Sequence, residues 1–147
     1  MIVGHTPNRF EGDVAANVVW DDEAHSIIRI DLLNYTWPEY HEAIQQIVTE
    51  AGQQSHRVDV IIHNPSDPAP GNPLPHLRSS IRQIAAVTNI RMIVTIPSRR
   101  LPGFIRALAD TVLHGYGANS NQQAIFVNSL AEARQRIREH REQSAQA

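Results

Sequence analysis

Cysteine is absent from this sequence, and so is lysine. Without cysteine there is no disulfide, no thiolate nucleophile and no sulfur-ligated zinc. Without lysine there is no Schiff-base amine and no phosphate-loop ammonium. All 13 basic residues are arginine, which genomic base composition explains, although arginine also binds anions bidentately. Strong charge of either sign is missing too. A formal net charge of −2 makes no electrostatic case for nucleic acid. No apolar run reaches 18 residues, so no membrane span is expected. Residues Met1 to Gly12 hold no apolar stretch of signal-peptide length, which implies a cytoplasmic protein.

What is present fits one domain: 147 residues bury enough surface for a real core. Residues 1–13 read as a lead-in, 14–141 as the domain and 142–147 as a frayed tail, since apolar residues stop near His140. Asn17–Trp20 and Ser26–Leu32 read as two strands. The five polar residues between them are too few for a parallel crossover, so they should pair antiparallel. Thr36-Trp37-Pro38-Glu39 opens a helix, with Thr36 as cap, Glu39 as its capping-box partner and Pro38 in the first turn. Trp37, Tyr40, Ile44, Ile47, Val48 and Ala51 then recur at helical spacing, and Gly52 is a stop.

Val58–His63 is a β-branched run suited to the middle of a sheet. A proline-rich loop follows from Asn64 to Pro75, and then a helical pattern from His76 to Val87. Ile90–Ile96 is a further strand closed by Pro97, and Leu101-Pro102 starts a helix carried by Phe104, Ile105, Leu108, Val112 and Leu113. Ala124–Val127 is the last strand, and Ser129-Leu130-Ala131-Glu132 caps a final helix with Leu130, Ala133 and Ile137 inward. The order β-β-α-β-α-β-α-β-α predicts an α/β domain. Its mixed five-stranded sheet has four parallel strands and an antiparallel N-terminal strand. Crossovers that all run one way would gather the helices on one face. The other face, left partly uncovered, would favour a homodimer.

Three stretches carry a resemblance: the paired strands Val18–Leu32, the helix entry Tyr35–Ala43, and Phe126-Val127-Asn128-Ser129-Leu130-Ala131-Glu132-Ala133. With this element order, the chain resembles the SpoIIAA-like, or STAS-like, family over roughly residues 14–141, in its uncharacterised bacterial branch. The resemblance implies a single-domain βα superhelix and a non-catalytic regulatory module that binds protein partners or small ligands. It also implies a lipid-binding alternative, since a related βα superhelix takes apolar ligands. The family's antagonists carry a phosphorylatable serine in an Asp-Ser motif. Neither Asn64-Pro65-Ser66-Asp67-Pro68 nor Arg78-Ser79-Ser80-Ile81 matches it, so the phospho-switch is not carried over.

The candidate chemistry lies at strand ends. His63, Asn64, Ser98, Arg99, Arg100 and Asn128 all follow the C-terminal ends of predicted parallel strands, where open α/β sheets place ligands. Ser98-Arg99-Arg100 precedes a helix whose N-terminus attracts anions, which points to a phosphate, sulfate or carboxylate ligand. His63, Ser66 and Asp67 permit a hydrolase-like reading, but no Gly-x-Ser-x-Gly elbow supports it. The eight histidines are scattered, and His41-Glu42-Ala43-Ile44-Gln45 has glutamine where a zinc motif needs its second histidine, so no metal and no cofactor are expected.

Overall fold

A computed structural model describes residues 15–65, 69–98, 103, 107 and 122–146. Five strands are described: β1 (Ala16–Trp20), β2 (Ile27–Leu32), β3 (Val58–His63), β4 (Ile90–Ile96) and β5 (Gln123–Phe126). Three helices accompany them: α1 (Trp37–Gly52), α2 (Leu74–Ala85) and α3 (Leu130–Gln146). The strands lie in chain order in one sheet. β1 pairs antiparallel with β2, and β2, β3, β4 and β5 run parallel, as the element order predicts. The expected N-terminal lead-in and most of the helix expected from Leu101 lie outside the described residues.

The side-chain alternation of the strands divides the apolar residues between two cores. Val58, Val60 and Ile62 face one side with Ile28, Ile30 and Leu32, and are covered by α1 and α2 through Tyr40, Ile44, Ile47, Ile81 and Ile84. Ile61 faces the other side with Met92, Val94 and Ile96, under Ala133 and Ile137 of α3. The last helix thus lies across β3 and β4 on the face opposite α1 and α2.

Each helix end has a local cause. Thr36 and Glu39 form the full capping box of α1. α2 starts at Leu74, two residues ahead of the predicted His76, because Pro75 falls in the first turn, where a missing N–H costs nothing. Glu132 of α3 accepts from the Asn128 N–H at 2.9 Å, while its own N–H donates to Ser129 Oγ at 3.1 Å. The tail expected to fray stays helical to Gln146. Its anchor is polar: Arg141 Nε donates to Asp59 Oδ2 at 2.8 Å, and Arg141 Nη2 donates to the Ser26 carbonyl at 2.8 Å. Asp59 is fully buried and is also held by Arg57 Nε at 3.0 Å. One turn from the start of α3, Arg134 grips Asp21, which Arg29 pairs from the sheet. Among the described residues no helix is long and apolar enough to cross a membrane.

Two stability outcomes follow from this layering. Ile61→Ala should cost about 2–5 kcal/mol, through lost burial and a residual cavity. Chemical denaturation measures it, and a loss under about 1 kcal/mol would remove Ile61 from the core. Asp59→Ala strands two guanidinium groups and should cost about 3 kcal/mol. Amide exchange should show the loss concentrated in α3; a loss spread evenly over α1 and α2 would contradict the anchoring role.

Candidate functional site

At the C-terminal edge of the sheet an aromatic corner forms from local sequence. Asn34 takes a left-handed conformation (φ 49°), which asparagine tolerates, and turns the chain from β2 into α1. Tyr35, Trp37 and Tyr40 then meet edge to face, with Trp37 5.5 Å from Tyr35 and 5.3 Å from Tyr40 between ring centres. Trp37 also stacks flat on His76 of α2 at 3.9 Å, and its indole N–H donates to the Pro70 carbonyl at 2.8 Å. His41 Nε2 lies 2.8 Å from His76 Nδ1, a hydrogen bond that requires at least one ring to be neutral. Tyr35 accepts from Asn64 Nδ2 at 3.3 Å and hydrogen-bonds the backbone of Ala69. These contacts bind the returning limb of the proline-rich loop to both helices.

Beneath that limb lies a cavity of about 80 Å³, partly open to solvent. Ile62 of β3 and Thr95 of β4 form its floor, flanked by Phe126 of β5. Tyr35, Trp37, Tyr40, Leu74 and Leu77 wall it, and Asn64, Pro97 and Ser98 stand at the strand ends. Its polar groups are mostly engaged. Tyr40 Oη is 2.7 Å from Ser80 Oγ, which in turn donates to the Leu77 carbonyl at 2.9 Å. The exception is Thr95 Oγ1, which is buried and has no hydrogen-bond partner among the described residues.

The six residues proposed from sequence separate. Asn64 and Ser98 line the cavity. His63, adjacent to Asn64, projects to the opposite face, where Nδ1 sits 3.1 Å from Asp31 Oδ1, and it does not line the cavity. Asn128 is exposed, and its N–H serves the entry to α3. Arg99 and Arg100 lie outside the described residues, as do Ser66 and Asp67 of the hydrolase-like reading. Among the described residues no group of three or more His, Asp or Glu side chains could hold a metal.

Sequence reasoning missed the aromatic wall and Thr95. The signal for the wall was there: Tyr35, Trp37 and Tyr40 fall within six positions of a chain that is only 5% aromatic. Thr95 was read as part of an apolar strand. Its facing depends on a register irregularity in the β3–β4 ladder, where Val58 pairs with Ile90 but Val60 pairs with Ile93. The extra residue turns Ile93 and Thr95 onto the α1/α2 side.

Titration of this corner and of the α3 anchor sets a pH window. Burial, then the neighbouring His76, lowers the pKa of His41 from 6.5. Burial, then Arg57, lowers that of His140 from the same value. A ring whose pKa falls on folding takes up its proton more readily when unfolded. Stability is therefore complete above about pH 6.5 and lost as pH falls through the folded values. Tyr40 behaves oppositely: burial raises its phenol from 10.0 to about 12, so stability is complete below pH 10 and lost as pH rises toward 12. Thermal melts across pH should show a plateau between these limits. His41→Gln should flatten the acid limb and Tyr40→Phe the alkaline limb; limbs unchanged in both variants would contradict the assignments.

Comparison of the chain with family models, with curated proteins and with solved structures gives no match.

Proposed function

We propose that this chain is a non-catalytic, STAS-like ligand-binding module, and that its ligand enters the cavity beneath the proline-rich loop with an apolar group first. The observation that carries this reading is the cavity itself: a concave, aromatic-lined space at the C-terminal edge of a parallel sheet, where such sheets take ligands. Its volume bears on the class of ligand. About 80 Å³ exceeds the about 10–15 Å³ needed to hold one water, but falls short of the about 150 Å³ engineered cavity that takes benzene whole. A whole acyl chain does not fit, whereas the end of a larger molecule does. That narrows the lipid-binding alternative to a ligand inserting one small apolar group.

An anionic ligand is less well supported. The described lining carries no charged side chain, and burying an unpaired charge there is costly. The two positive charges on which the anion reading draws, Arg99 and Arg100, lie outside the described residues. For the hydrolase reading, the Asp31–His63 pair is on the other face of the sheet and so is not available to a guest in the cavity.

Ligand-observed NMR with a library of small neutral and anionic compounds tests the proposal. Neutral apolar compounds should perturb Tyr35, Asn64 and Ser98, and Leu77→Trp, which fills the space, should abolish the response while the variant stays folded. Hits that bind equally well to Leu77→Trp would place the site elsewhere. Binding of phosphate or sulfate that is lost in an Arg99→Ala, Arg100→Ala double variant would restore the anion reading. Ester turnover abolished by His63→Ala would replace the module with an enzyme.

A further inference from the structure

We infer that Thr95 sets the specificity of this cavity, and that the group inserted there is uncharged and bears a carbonyl or hydroxyl oxygen. The inference rests on the cavity being the binding site and names the chemistry of what it holds. Thr95 is 8% exposed and lies on the cavity floor. Its neighbours across the two ladders on that face are Ile62 and Phe126, neither of which has a side-chain polar atom to offer. Buried polar groups almost always have partners, so a buried hydroxyl that lacks one among the described residues and faces a space large enough for a guest marks where the polar atom of that guest sits.

Other hydroxyls at the cavity are already spoken for. Tyr40 is bonded to Ser80, and Tyr35 to Asn64 and the Ala69 backbone. The Thr95 hydroxyl both donates and accepts, so it serves a ketone, an amide carbonyl or an alcohol equally. It supplies no positive charge. Without a charged side chain in the described lining, a carboxylate would lose its hydration with nothing to replace it. A mostly apolar pocket whose one unsatisfied group is a hydroxyl disfavours a guest that lacks the matching atom, because the hydroxyl is then left bare.

The experiment uses the full chain as wild type, Thr95→Val and Thr95→Ser, with acetone, 2-propanol, propane and acetate as probes small enough for the cavity. Affinities come from amide and methyl shifts of cavity residues, and unliganded stability from thermal melts. The wild type should bind the ketone and alcohol about tenfold more tightly than the hydrocarbon, the scale of one hydrogen bond, and should not bind the carboxylate. Thr95→Val keeps the shape, so it should bind the ketone, alcohol and hydrocarbon alike and should melt at a higher temperature than the wild type. Thr95→Ser should retain the preference. A preference that survives in Thr95→Val would assign the contact to another group and overturn the inference. Equal binding of the ketone, alcohol and hydrocarbon by the wild type would overturn it while leaving the cavity as the site. A melting temperature lowered in Thr95→Val would show the hydroxyl satisfied by bound water only, which also overturns it. No binding by any of the four probes would remove the cavity reading and this inference together.

Discussion

Everything in this protein depends on a buried central strand serving two cores at once. β3 is covered on both faces, and its alternation sends Val58, Val60 and Ile62 to α1 and α2 while Ile61 meets α3. Parallel strands require this, because their crossovers place helices over the sheet and leave no wet face at the centre. A one-residue slip would exchange the two sets and put Asp59 among the isoleucines of the larger core. In the observed register Asp59 lies on the α3 side, where Arg57 and Arg141 neutralise it. The apolar residues hold the sheet and helices together, and the charged ones help fix which register and which docking of α3 result.

The two ends of the parallel sheet have taken different work. Its N-terminal edge is ionic: Asp21, Asp22 and Asp59 meet Arg29, Arg134 and Arg141, with Ser26 between them. These pairs fasten a helix that has few apolar residues of its own, and they leave little unsatisfied. On the α1/α2 side the C-terminal edge is aromatic and apolar, and it keeps a cavity and a hydroxyl with no partner among the described residues. A stabilising device satisfies its groups internally, whereas a binding site leaves something for its guest. By that criterion the N-terminal edge is structural, and the C-terminal edge is where the proposed site belongs.

The fold was legible because local rules and tertiary packing agree over most of the chain. Thr36 and Glu39 cap where the capping box says they should, and Ile90–Ile96 is a strand to the residue. The start of α2 was misplaced because the run of prolines reads as loop, although Pro75 suits a first turn. The persistence of α3 past His140 was missed because apolar periodicity is blind to an anchor made by Arg141 on a buried aspartate. Position at a strand end picks out Asn64 and Ser98, which line the cavity, but does not distinguish them from His63, since adjacent strand residues face opposite ways.

Thr95 shows why the site itself was harder to read than the fold. Counting by twos from Ile90 puts Met92 and Val94 beside it and Thr95 on the far side. The register irregularity between Val58 and Val60 reverses that assignment. Irregularities of this kind are uncommon in parallel ladders and re-aim side chains where they occur. Here the reversal places a hydroxyl between Ile62 and Phe126, in a position valine would fill with no polar atom to satisfy. A sequence specifies its fold best where every local preference agrees, and breaks with that agreement are found at functional sites. The register shift in the ladder, a buried hydroxyl without a partner among the described residues and the cavity above it are three such breaks at one place, and their coincidence is what the proposed site rests on.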